Sequence, residues 1–428
     1  MEPVESRRIP AGFAGLGLVA ALSLLACAER APEGSTLLTA TRLYTSPDAP
    51  PVDDAAILIV DGKIAAAGPA KDIATGGAKR LAACDGGTVT AGFQNSHVHF
   101  TEDKFADAAA KEAPELGAAM TEMLNRFGYT TVVDTASNLA NTVVLRDRIE
   151  RGEIPGPRII TAGFALYPRD GIPIYLRDLP PELLAMLSQP ASVEEALAEV
   201  QANLDAGANA TKLFLMTPQG GGRYAFMQPD IALAAADETH RRGLLVLAHP
   251  TDIEGINLAI EAGVDVLVHT TIGDGKTVWD PALIEQMRAK SMAVVPTLKL
   301  FPYELKRMEL PERVVEGATS DAVEQLRSYA AAGGQILFGT DVGYMTDYDP
   351  TDEYRLMARA LKPMEILASL TTAPAARWKE QKARGRVAEG LEADLVVLEG
   401  DPAADAASFA QVRCTIRGGK LTHPVGTR

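Results

Sequence analysis

The sequence predicts an α/β fold: a (β/α)8 TIM barrel with a small β-sandwich domain built from both chain ends. Three observations carry that expectation. Eight short apolar strand candidates alternate with helical patterns through the middle of the 428-residue chain, which is the cadence of such a barrel. Both ends break instead into short strands joined by turn signals. Hydrophobic residues make up 47% of the chain and charged residues 23%, a balance that forms a core rather than a disordered polymer.

Taken in order, residues 1–27 read as an export signal. Arg7 and Arg8 precede an apolar run from Ala11 to Ala26, which has signal-peptide length and no second basic flank. The run closes on Leu24-Leu25-Ala26-Cys27, which resembles the bacterial lipobox. That likeness implies cleavage before Cys27, a lipid on its thiol, and a periplasmic or membrane-anchored lipoprotein. A plain secretory signal is the alternative. Ser6-Arg7-Arg8 hints at twin-arginine export, although Pro10 stands where that motif wants an apolar residue. No later segment nears the ~18 apolar residues a membrane span needs, so membrane contact is expected only through the lipid.

Residues 36–90 and 379–425 form the expected β-sandwich domain. Leu37–Tyr44 and Ala56–Val60 read as strands, and Asp61-Gly62-Lys63 turns the chain into Ile64–Ala67. At the other end Ala393–Leu398 and Val412–Arg417 read as strands, with Gly418-Gly419 as a turn. Cys84 and Cys414 fall in the two halves. Separate buried thiols are the expectation, with a disulfide open to an exported chain. Only three cysteines occur, which excludes a disulfide scaffold and a four-cysteine zinc module.

Residues 91–378 form the expected barrel. Its strand candidates are Gly92–His97, Thr130–Asp134, Arg158–Ala162, Ala210–Leu215, Leu244–His249, Val264–His269, Ala293–Thr297 and Ile336–Asp341. Continuous apolar runs such as Leu244–Ala248 suit parallel strands buried on both faces. Between strands, Ser192 with Glu195 makes a capping box, and Val193, Leu197, Val200 and Leu204 follow at helical spacing. Asp280-Pro281 opens another helix. Forty-one basic against 56 acidic side chains give a net charge of −15, a poor match to nucleic-acid binding.

Of six histidines, four stand at or just after strand ends. His97 and His99 are two apart, so in an extended segment both imidazoles face one side. His249 ends the fifth strand, His269 the sixth, and Asp341 the eighth. Lys212 lies inside the apolar fourth, where a bare cation is costly to bury. Strand ends converge at one mouth of a barrel, and imidazoles with a carboxylate suit a divalent metal such as zinc. His240, near a helix end, reads as structural, and His423 as a solvated tail residue.

Three segments carry a resemblance: Thr90-Ala91-Gly92-Phe93-Gln94-Asn95-Ser96-His97-Val98-His99, Leu370-Thr371-Thr372-Ala373-Pro374-Ala375, and Gly390-Leu391-Glu392-Ala393-Asp394-Leu395-Val396-Val397-Leu398. Over roughly residues 36–425 the chain resembles the amidohydrolase superfamily, its imidazolonepropionase-like branch with many prolidase-type dipeptidases. Asn95 stands where that family more often has Asp. The resemblance implies two divalent ions, zinc foremost, with His97, His99 and Asp341 on one, His249 and His269 on the other, and a carboxylated Lys212 bridging them. A mononuclear site with Lys212 as spectator is the alternative. It implies hydrolysis of an amide, in a dipeptide or an N-acyl amino acid, by metal-activated hydroxide with Asp341 as general base and acid. A cyclic amide, lactone or phosphoester is the runner-up substrate, and a non-catalytic zinc-binding lipoprotein the remaining class. Specificity then belongs to loops after the strands. Tyr167, Arg169, Arg223, Tyr224 and Tyr344 are the candidates there, the Arg side chains for a substrate carboxylate. The small-molecule amide is the expected partner, and homo-oligomerisation is left open.

Overall fold

The computed structural model describes residues 30–271 and 278–424; the export segment with Cys27 lies outside the described residues. Eight parallel strands run through the middle of the chain. They are Phe93–Val98, Tyr129–Asp134, Arg158–Thr161, Ala210–Phe214, Leu245–His249, Val266–Val268, Ala293–Val295 and Gln335–Ile336, first to eighth. The first five match their predicted segments to within one residue at each end, while the sixth, seventh and eighth are shorter than Val264–His269, Ala293–Thr297 and Ile336–Asp341. The first three pair in chain order in one sheet and the other five in a second.

The eighth strand is shorter than Ile336–Asp341, because its later residues bond across to the first strand instead. Ser96 N–H donates to the Phe338 carbonyl at 2.7 Å, and Asp341 N–H to that of His97 at 2.9 Å. At the other margin, Leu166 N–H donates to the Lys212 carbonyl at 2.9 Å and Phe214 N–H to that of Leu166 at 2.8 Å. Backbone bonds thus link the segments that follow the eighth and third strands to the first and fourth strands.

Alternation along the strands divides the core. Ala210, Leu247, Val266, Val268, Ala293, Val295 and Leu337 form one cluster on one face. Their neighbours Leu213, Val246, Leu267, Val294 and Phe338 join the larger cluster on the other face, with buried residues of the connecting helices. Both faces are covered, which is why the runs read as continuously apolar. Ser192 caps its helix as expected, its Oγ accepting from Glu195 N–H, but Glu195 accepts from Ala191 N–H rather than from Ser192, so the reciprocal half of the box is not made. Asp280 caps the Pro281–Ala289 helix.

The chain ends share one eight-stranded sheet. Its seam is antiparallel, with Val397 opposite Val89 and Leu395 opposite Ala91, so Leu395–Leu398 from the back joins Gly87–Ala91 from the front. Here the expectation of two separate thiols is corrected: Cys84 and Cys414 are disulfide-bonded, with Cα atoms 5.8 Å apart. Cys84 ends the short turn Ala82–Cys84, and Cys414 lies on the Val412–Arg417 strand. Both belong to the core of this sheet, so packing sets the bridge across 330 residues of sequence. His423 also differs from expectation: it closes the Lys420–His423 strand and is half-buried.

Candidate metal centre

The four strand-end histidines, Lys212 and Asp341 meet where the parallel strands end. His97 and His99 do share a side: their Nε2 atoms lie 3.1 Å apart. Asp341 Oδ1 sits 3.1 Å from His97 Nε2 and 3.0 Å from His99 Nε2. One ligand atom from each of the three falls within 4.8 Å of the other two. His269 Nε2 stands 4.0 Å from Asp341 Oδ2. The His269 ring centroid lies 4.8 Å from that of His97 and 4.7 Å from that of His249.

Local backbone makes this convergence. Val266 and Val268 point to the inner face, so strict alternation would send His269 outward. His269 has φ +78°, which ends the alternation and turns the imidazole in. Asp341 has φ +61°. Gly339 permits the close approach of the eighth strand to the first: a Cβ there would lie 2.3 Å from Val295 Cγ1 and 2.9 Å from His97 Cβ. Asn95 stitches the same pair of strands. Its amide donates to Thr340 Oγ1 at 2.7 Å, and its Oδ1 accepts from His97 N–H and Thr340 N–H, each at 3.2 Å.

Lys212 is 1% exposed. In its strand it shares a face with Ala210 and with Phe214, whose ring centroid is 5.3 Å from Nζ. Burial pulls its ammonium down to about 7, against the opposing pull of Asp341. Burial likewise lowers His97 to about 4 and His249 to about 3, and takes His269 well below its ordinary value. Burial alone would raise Asp341, but the His97 and His99 imidazoles hold its carboxyl well below the usual range. The pocket therefore favours a carboxylate with neutral imidazoles at His97, His249 and His269, the protonation state in which these groups bind metal.

Donor chemistry fits a divalent ion. His99 Nδ1–H donates to the Ala136 carbonyl at 2.8 Å, since a carbonyl can only accept. A neutral His99 then has its lone pair on Nε2, facing His97 and Asp341, whereas without an ion, against the lowering effect of burial, Asp341 draws the His99 value up. A carboxylate oxygen and imidazole nitrogens converging on one point suit a divalent cation, which would take the place of the protons they share without it.

Among the loop candidates, Tyr167 is buried and stacks on Phe214 at 4.5 Å, and Phe214 stacks in turn on His249 at 4.8 Å. The Tyr344 ring meets Tyr175 edge-on at 5.8 Å, and its hydroxyl accepts from Arg307 at 3.2 Å. Arg169 is 68% exposed and lies beside Asp170. Arg223 and Tyr224 are exposed on a hairpin formed by Met216–Gly220 and Arg223–Phe226. Sequence reasoning read that stretch as a loop, and it passed over Tyr175, Phe214 and Thr297, which carry no motif.

Fold and donor set together define a metal-dependent hydrolase. The Amidohydrolase family model matches residues 88–422, and the chain belongs to that family, acting on amide C–N bonds. Ochratoxinase of Aspergillus niger is 25% identical over 423 residues, spanning 87% of this chain and 84% of that protein. Its crystal structure superposes with a TM-score of 0.73 at 23% identity, covering 90% and 95% of the two chains. A prolidase complexed with N-methylphosphonate-L-proline is 25% identical, with a TM-score of 0.72 and coverage of 90% and 99%.

Proposed function

We propose that this chain is an exported amidohydrolase that cleaves a dipeptide or an N-acyl amino acid at the mouth of a closed (β/α)8 barrel, residues 91–378. Residues 36–90 and 379–425 form its companion domain. The observation that carries the proposal is the meeting of His97, His99, Lys212, His249, His269 and Asp341 from five strands. Backbone bonds at both margins of the parallel sheets support closure. The names of the relatives, ochratoxinase and a prolidase, support an amide substrate. Export rests on the leader before Cys27, and the Cys84–Cys414 bridge supports it, because disulfides persist in oxidising compartments.

His97, His99 and Asp341 would hold one divalent ion and His249 with His269 the other, with Lys212 carboxylated between them. Bound ions would polarise the scissile carbonyl and acidify a water. Asp341, already held as a carboxylate, accepts the water's proton and returns it to the departing amine, which leaves poorly without it. Carboxylation would answer the burial of Lys212, because the side chain then becomes an anion facing cations. One observation favours a mononuclear second reading: His97, His99 and Asp341 form the one tight donor group found among the described residues.

Metal analysis with 13C-bicarbonate labelling separates the two readings. Two ions per chain with a labelled carbamate supports the bridge; one ion with a plain lysine selects the mononuclear site. A panel of dipeptides, N-acyl amino acids, lactones and phosphotriesters tests the substrate. Turnover confined to the esters would reject the amide reading.

A further inference from the structure

His269 lacks the carbonyl that fixes His99. Its Nδ1 lies 2.6 Å from the hydroxyl of Thr297, and that hydroxyl lies 2.9 Å from the Pro296 carbonyl. Thr297 is 0% exposed. A hydroxyl has one proton to give and lone pairs to accept with. The Pro296 carbonyl can only accept, and its other donor, the Thr270 N–H, stands as far as 3.4 Å away; with the Thr297 proton on that carbonyl, a hydroxyl lone pair faces Nδ1. In that arrangement His269 carries its own proton on Nδ1, which leaves the lone pair on Nε2, the atom turned toward Asp341.

The backbone is bent to reach this arrangement. Thr297 has φ +44°, a region that a β-branched residue rarely enters. Such outliers persist where the surroundings over-determine them, commonly at functional sites. Thr297 follows the seventh strand, between two elements that each place a site residue on left-handed backbone, His269 and Asp341.

We propose that Thr297 is a positioning residue that fixes the Nδ1–H tautomer and the ring orientation of His269, so that Nε2 is presented as a metal ligand. This rests on the metal-centre reading above. Partners of this kind set metal affinity although they never touch the ion, and their loss typically weakens binding by roughly 10–100-fold.

The test uses metal-stripped wild-type protein, Thr297→Val and Thr297→Ser, titrated with Zn2+ against a competing chelator. Valine keeps the shape and the branching but cannot accept from Nδ1, whereas serine keeps the hydroxyl. The expected result is a loss of roughly 10–100-fold in the affinity of at least one ion for Thr297→Val, with Thr297→Ser restored close to wild type. Wild-type affinity in Thr297→Val overturns the proposal. Wild-type protein that takes up no ion refutes the metal-centre reading itself, a different failure. Histidine-selective 15N spectra of the metal-free wild-type chain decide the tautomer without any variant: Nδ1–H at His269 supports the assignment, and Nε2–H overturns it even if valine prevents folding.

Discussion

Replacing Gly339 by alanine tests whether the eighth strand presses on the first as closely as the site requires. The added methyl would lie 2.3 Å from Val295 Cγ1 and 2.9 Å from His97 Cβ. Carbon atoms settle at about 3.5–4.0 Å, so the shortfalls are about 1.2 Å and 0.6 Å. Val295 is β-branched and has few rotamers to escape into. His97 Cβ has none, because a Cβ moves only with its backbone. Overpacking of this kind costs about 1–3 kcal/mol. With an unfolding entropy of about 2 cal/mol/K per residue over some ~400 residues, that becomes a fall in Tm of about 1–4 °C. The functional effect should be larger, since a 1 Å misplacement can cost about 10²-fold. A shift of about 0.6 Å at His97 is therefore expected to lower kcat by roughly 10–100-fold. Metal content, kcat on the best amide of the panel and Tm are measured together. Gly317→Ala is the control: it sits inside the Glu312–Ala331 helix with nothing within 4 Å of the new methyl, and should raise stability by about 0.5–1 kcal/mol. Wild-type metal content and kcat in Gly339→Ala would refute the reasoning, because the two strands could not then be packed as described.

Asp341→Asn should keep most of its bound metal and lose about 10²–10⁴-fold in kcat; near wild-type turnover would remove Asp341 from its role as base. Cys84→Ser with Cys414→Ser should lower stability by about 2–5 kcal/mol, read as a Tm difference that reductant reproduces in the wild type; equal Tm values with and without reductant would contradict the bridge. Glu353 is fully buried, and burial raises its carboxyl to about 7 despite hydrogen bonds from the Leu298 and Lys299 N–H groups. Between the unfolded value of about 4.5 and 7, the folded state keeps a proton that the unfolded state has lost. Stability from this group is thus full below about 4.5 and declines as pH rises to about 7. Denaturant unfolding of Glu353→Gln should show a flatter slope across that window than wild type, and an unchanged slope would count against the assignment.

What the sequence discloses and what it withholds divide along one physical line. The parallel strands are legible because burial on both faces writes a local signature, an apolar run such as Leu244–Ala248, that needs no knowledge of partners. His97, His99, His249, His269 and Asp341 are legible for a related reason. Histidine is scarce, with six in the chain, and these four with Asp341 stand at or just after those runs, where strand ends share one mouth. Thr297 belongs to a common residue type, and its importance lies in a 2.6 Å distance to a residue 28 positions away and in a backbone angle that no local pattern announces. Gly339 reads as an ordinary glycine until the His97 Cβ is placed beside it. Cys84 and Cys414 are separated by 330 residues, and only the seam between Gly87–Ala91 and Leu395–Leu398 brings their turn and strand together. Local burial patterns therefore disclose which groups gather at the site, while non-local packing decides how each is held. For the proposed metal centre, the ligand identities follow from the first and the affinity from the second. A chain that kept His97, His99, His249, His269 and Asp341 but replaced Gly339 and Thr297 would carry the same strand-end pattern and still be expected to hold its ions poorly.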